Sequence, residues 1–321
     1  MAAIALVCDR PIMILGRHRF IVHHFAEGEM TAANVSVESL APVRASLLKR
    51  ALLCVLFFVV ESAVFAIMPL SGLLPRPALL YMQAGLAAIL LAVSLLLRRS
   101  CNGRPYWQVF YAFFVGALAV LVSVIFSGGL LALMGYDVST PQGIAVAKFC
   151  ESILRVATIL AMMAAAGLGW RSMFLQRGRL GLGLAVGIPG FIVMAAIGLL
   201  PQAGVSGGSE KLLSWLPWIL LFVLSNGFME ELLFRGILLK KYEGLLGRAA
   251  TVVLSALVFT LVHMQVGYVA SVIQFLVLLF PLALVWGWLM LKTDSLWGSA
   301  LFHAGSDCII IFGIFASMGA I

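Results

Sequence analysis

An all-α, polytopic membrane protein is the fold this sequence predicts, with about nine transmembrane helices and its core in the C-terminal ones. Three observations predict it. The chain of 321 residues is 63% hydrophobic and only 11% charged, whereas soluble domains are roughly half apolar and about a quarter charged. Apolar runs near the ~20 residues that cross a bilayer recur along the chain. Lysine and arginine fall in alternate gaps between those runs.

The runs are 51–73, 78–97, 106–134, 144–169, 180–200, 213–239, 249–266, 268–291 and 296–318. Lys49 and Arg50 precede the first. Arg98, Arg99 and Arg104 follow the second, and Arg171, Arg177 and Arg179 the fourth. Lys240, Lys241 and Arg248 follow the sixth, and Lys292 the eighth. The other gaps hold Arg76, then Asp137, then Glu210 with Lys211, then no charge. The positive-inside bias therefore predicts nine spans in a cytoplasmic membrane, with the N-terminus in the cytoplasm and the C-terminus outside.

Three segments follow. Residues 1–46 alternate arginines with short apolar patches, and "PIMILGRHRFIVHHF" is too interrupted for a signal peptide. They are read as a cytoplasmic arm skimming the membrane. Its His18, His23 and His24 are metal-capable, but a solvated or interfacial arm is the preferred reading. Residues 47–200 are N-terminal transmembrane helices. The Gly/Ser-rich "PQAGVSGGSEK" introduces residues 201–321, the C-terminal core. The net charge of +8 is read as topological, not as a nucleic-acid surface, because no basic stripe interleaves with aromatics. The five cysteines are scattered without CxxC, which argues against a disulfide framework or a cysteine-built zinc site.

Ionisable groups at membrane depth are costly and mark partners or function. Lys148, Glu151 and Arg155 share a helix face at spacings of three and four and are read as a structural ion network. Glu61 stands alone and has no reading. In "NGFMEELLFRGILL", Glu231 and Arg235 are four apart and can pair. Glu230 is turned about 100° from Glu231 and about 140° from Arg235, toward the face of Asn226. The only histidines outside the arm are His263, four after Phe259 in "FTLVH", and His303, four before Asp307 in "HAGSD". Such groups serve as general bases, oxyanion donors or metal ligands. GxSxG, HExxH and a P-loop are absent, so water is the expected nucleophile. By helix rise Glu230 lies about 15 Å from Lys240 and His303 about 11 Å from the start of its span. A cavity opening toward the cytoplasm is expected.

In this order, "EELLFR", "FTLVH" and "HAGSD" resemble the EExxxR, FxxxH and HxxxN/D motifs of the CPBP family, which comprises CAAX prenyl endopeptidases and bacteriocin-processing enzymes, also called Abi proteins. The resemblance covers about residues 180–318. It implies an intramembrane endopeptidase acting on a membrane-anchored peptide or protein in the lipid bilayer, with no nucleic acid and the oligomeric state open. Prenylated CAAX proteins, bacteriocin precursors, sorting-signal tails and anti-sigma factors all suit it. It implies that Glu230 and His263 activate water, that His303 and Asp307 hold the oxyanion, and that Glu231, Arg235, Phe259 and Asn226 support them. Many members carry Asn where this chain has Asp307, and only a protonated carboxyl donates as an amide does. Glu230, His263 and His303 also make up a possible zinc set, although the metal-free reading is preferred. A proton-coupled transporter and a non-catalytic immunity protein are the alternatives.

Overall fold

The computed structural model describes residues 46–68, 72–200, 208–266 and 271–319. The arm expected at 1–46 lies outside the described residues except for Ser46. The described residues form ten α-helices and no strand: α1 (Leu47–Ala66), α2 (Arg76–Arg99), α3 (Trp107–Leu133), α4 (Pro141–Ala165), α5 (Leu180–Leu199), α6 (Gly208–Glu230), α7 (Leu239–Leu246), α8 (Arg248–Val262), α9 (Val272–Thr293) and α10 (Trp297–Ser317).

Local chemistry sets several boundaries. Thr140 caps α4, its hydroxyl accepting from the Gly143 N–H at 3.1 Å, with Pro141 at the first helical position. Ser46 and Ser271 cap α1 and α9 in the same way. Asp294, with φ of 51°, turns the chain from α9 into α10.

Six stretches are long and apolar enough to cross a membrane: α2, α3, α5, α9, α10 and the continuous stretch Leu213–Leu246 that carries α6 into α7. The other three expected spans fall short of that standard for separate reasons. Helix α1 carries Lys49, Arg50 and Glu61, and α4 carries Lys148, Glu151 and Arg155. Helix α8 has 15 residues, about 22 Å of rise.

Much of that charge is absorbed inside the bundle. Glu61, fully buried, accepts a hydrogen bond from the Tyr242 hydroxyl at 2.7 Å, tying α1 to α7. Tyr242 in turn stacks on Phe57 at 5.1 Å. Cys101 is disulfide-bonded, whereas Cys54, Cys150 and Cys308 are free thiols.

Helix α10 is gripped from two sides through small residues, the usual device where lipid supplies no hydrophobic drive between helices. On the α5 side, a Cβ on Gly187 would stand 2.6 Å from the Gly298 carbonyl oxygen, and one on Gly305 would overlap the Phe191 backbone. On the α6 side, a Cβ on Gly227 would stand 2.8 Å from the Ala304 nitrogen.

One end of the bundle gathers the basic loops. The Arg179 N–H donates to the Thr293 carbonyl at 2.7 Å, and the Leu296 N–H to the Phe174 carbonyl at 3.0 Å. Lys240 pairs with Asp294 at 2.7 Å and also donates to the Arg171 carbonyl.

Candidate active site

After Glu230 the regular helix gives way to a π-helical turn, Glu231–Gly236, in which the Ile237 N–H donates five residues back to the Leu232 carbonyl at 3.1 Å. Such single wide turns recur at functional sites. Here the turn lies where two adjacent carboxylates take different surroundings.

Glu231 is wholly enclosed. Its Oε1 receives the Arg235 guanidinium at 2.5 Å and the His303 Nδ1 at 2.9 Å, and its Oε2 accepts from the Ser299 hydroxyl at 2.5 Å. Arg235, also wholly enclosed, lies 4.5 Å from the centre of the Phe259 ring and 5.4 Å from that of Trp286. Both faces attract a cation. Phe259 also meets His263 at 4.5 Å and His303 edge-on at 5.4 Å.

Glu230 has different company. With Asn226, His263, Asp307 and Lys148 it lines a cavity of about 220 Å³. Its Oε2 is 3.5 Å from the His303 Nε2 and 3.9 Å from the His263 Nε2. Both rings are held from behind. His263 Nδ1 is 2.7 Å from the Phe259 carbonyl. A carbonyl only accepts, so Nδ1 carries the proton. His303 points Nδ1 at the Glu231 carboxylate and stacks flat on Trp286, 4.1 Å away at 6°. In both cases Nε2 is left toward Glu230. Asp307 Oδ2 accepts from the Asn226 amide at 2.9 Å, and its Oδ1 lies 3.7 Å from the His303 Nε2.

The geometry thus brings Glu230, His263, His303 and Asp307 together from α6, the end of α8, and α10. It sets Glu231, Arg235 and Phe259 behind them, and Asn226 beside Asp307. Three participants were missed in the sequence. Ser299 stands four before His303 and eight before Asp307, so its place on the same stripe was readable. Trp286 lies in an unbroken apolar run and gave no signal. Lys148 was read only as a member of its own ion network.

Among the described residues no group of three or more His, Cys, Asp or Glu side chains is arranged to hold a metal ion.

The cavity reaches along α6 to Phe222 and along α10 to Ile314. It extends away from the end that carries Arg171, Lys240 and Asp294.

No curated protein and no solved structure matches the chain. Residues 212–309 match the family model described as type II CAAX prenyl endopeptidase Rce1-like. This segment, running from α6 into α10 and holding the three motifs, is where the chain is similar to that family.

Proposed function

We propose that the protein is an intramembrane endopeptidase in which Glu230 and His263 activate a water molecule to cut a membrane-anchored peptide or protein. One observation carries the reading. Of two neighbouring glutamates, Glu231 has both oxygens engaged, while Glu230 presents Oε2 to two imidazole nitrogens at the wall of a cavity.

The chemistry follows from these groups alone. The 3.9 Å between Glu230 Oε2 and His263 Nε2 is too long for a direct hydrogen bond, and a bridging water satisfies both. Glu230 takes a proton from that water as its oxygen bonds to the scissile carbonyl carbon. The carbonyl electron pair moves onto oxygen. His303, protonated on both nitrogens, donates from Nε2 to this oxyanion, and Asp307, oriented by Asn226, balances its charge. Collapse breaks the C–N bond, and the proton on Glu230 passes to the departing amine. General-base catalysis of this kind contributes roughly 10²–10⁴-fold, and one oxyanion donor about 10²–10³-fold.

The bilayer is the setting. Helices α1 and α4 cross as well, since Glu61 is met by Tyr242, and Lys148 and Arg155 by Glu151. Helix α8 completes nine crossings, and the basic end faces the cytoplasm. A groove of about 530 Å³ between α4 and α6, lined by Ile153, Val156, Leu220, Leu224 and Phe228, receives the apolar anchor of the substrate.

The test uses purified protein in liposomes and a quenched fluorescent peptide ending in a lipidated CAAX sequence. Glu230→Gln is expected to lower kcat by about 10²–10⁴-fold without shifting the unfolding temperature. Equal cleavage by both proteins removes Glu230 from the chemistry.

A further inference from the structure

Helix α1 lies outside the matched segment, and its buried carboxylate had no reading in the sequence. Glu61 is fully enclosed. Among the described residues its Oε1 has no hydrogen-bond partner, and its Oε2 accepts from the Tyr242 hydroxyl at 2.7 Å. Arg235 attracts it across the interior, but that guanidinium is already bonded to Glu231. One neutral donor does not offset the cost of enclosing a carboxylate, and an apolar side chain of similar size would serve stability as well or better. The carboxylate therefore needs a reason other than stability, and its contact with Tyr242 supplies one.

Tyr242 belongs to α7, eight residues that restart the helix after the π-helical turn. A helix that short is marginal without tertiary support. At the basic end its Lys240 and Lys241 donate to the Arg171 and Ser172 carbonyls. At depth the fastening is Tyr242, whose ring stacks on Phe57 and meets Phe113 at 6.2 Å while its hydroxyl ends on Glu61. From there a run of single contacts leads to the site. The Tyr242 N–H donates to the Leu238 carbonyl at 2.9 Å, and the Leu238 N–H to the Arg235 carbonyl at 3.2 Å. The Arg235 guanidinium holds Glu231, and Glu231 holds His303. A second connection runs beside the first. The ring of Phe65, one turn beyond Glu61 on α1, lies 4.4 Å from that of Phe234 in the π-helical turn.

We propose that Glu61 is a positioning residue for the reaction: by holding Tyr242 it fixes the turn that carries Arg235, and so sets Glu231 and His303. The proposal rests on the hydrolytic reading and extends its machinery to α1. A hydroxyl bonded to a carboxylate is held roughly twice as strongly as one bonded to a neutral acceptor, which suits a fastening that must not slip. Coupling along such a path is measured by a double-mutant cycle.

Purified protein carries Glu61→Met, Tyr242→Phe or both. Exchange of both partners for apolar groups is close to neutral for stability, so the double variant is expected to unfold at the parental temperature. Its kcat on the quenched peptide is expected to fall about ten- to a hundredfold, the scale of a misplacement of about 1 Å, with KM unchanged. Each single variant should lose about as much as the double, because the two side chains act through one bond. Glu61→Gln, which keeps an acceptor oxygen, should keep most of the activity. A second readout needs no cleavage. In protein with isotope-labelled histidine, the NMR signal of the His303 Nδ1 proton that faces Glu231 is expected to shift in the double variant and to stay in place in Glu61→Gln. Folded double variant with the parental kcat, or with the parental imidazole signal, overturns the proposal. So do losses in the two single variants that multiply in the double. If the double variant does not fold, Tyr242→Phe, which removes one oxygen atom, decides by the same two readouts. A parent protein that cleaves no peptide removes the hydrolytic reading, and the imidazole signal alone then decides the role of Glu61.

Discussion

At the scale of single residues, the contrast between Glu230 and Glu231 separates chemistry from stability. Glu231 receives Arg235, His303 and Ser299 in full enclosure. Removing its charge strands a buried guanidinium, which costs about 3–5 kcal/mol when one member of a buried pair is lost. Glu231→Gln is thus expected to lower the denaturation midpoint sharply. Ser299→Ala, which withdraws one donor, should cost about 1–3 kcal/mol. Thermal unfolding in detergent measures both, and a Glu231→Gln protein as stable as its parent would contradict the enclosure. The two carboxylates differ in how far they could be read in advance. A spacing of four is enough to bring Glu231 to Arg235, because the contact lies within one turn. The Ser299 hydroxyl comes from another helix, and no spacing within α6 announces it. Trp286 was hidden for a different reason, since stacking on His303 asks for the same apolar ring that lipid-facing helices carry freely.

Elements place these residues, and α5 does so without contributing one of its own. Its Gly187 meets Gly298, and its Phe191 backbone meets Gly305, so closely that neither contact leaves room for a side chain. A Gly187→Val substitution would push the Gly298 backbone away, and overpacking typically costs about 1–3 kcal/mol. It is expected to reduce cleavage by displacing His303 and Asp307. Gly181→Val, on the same helix with open space around it, should have little effect. Equal loss in both variants would mean that α5 does not set the position of α10. The lengths of these elements were largely readable. The run expected at 106–134 is α3 at Trp107–Leu133, and that expected at 180–200 is α5 at Leu180–Leu199. The sixth run was less so. It was expected to end at 239 as one helix, whereas α6 stops at Glu230, widens into the π-helical turn and restarts as α7. Hydrophobicity reports the medium around a segment, and a widened turn changes none of it.

For the whole molecule, the direction of the cavity has a measurable outcome. Its walls run toward Ile314, while Lys240 and Asp294 mark the other end. If the basic end is cytoplasmic, a cysteine placed at Ile314 should react with a membrane-impermeant thiol reagent added outside intact cells. One placed at Lys240 should react only after the membrane is opened, with the free native cysteines replaced in both cases. The reverse pattern would turn the molecule over and put the cavity mouth in the cytoplasm.

The close contact between α5 and α10 also bears on what can be moved from one protein to another. Residues 212–309 contain the motif residues, which makes them look like a self-contained cassette. They are not one. The glycines that seat α10 lie at 183, 187, 190 and 198, upstream of the cassette, and the groove residues Ile153 and Val156 lie further upstream still. A chimera that exchanges the matched segment alone would set a foreign α10 against a resident α5 whose gaps were cut for another helix. Exchange should succeed only when the boundary is moved back to include residues 180–199, and substrate preference should follow the donor only when α4 travels too.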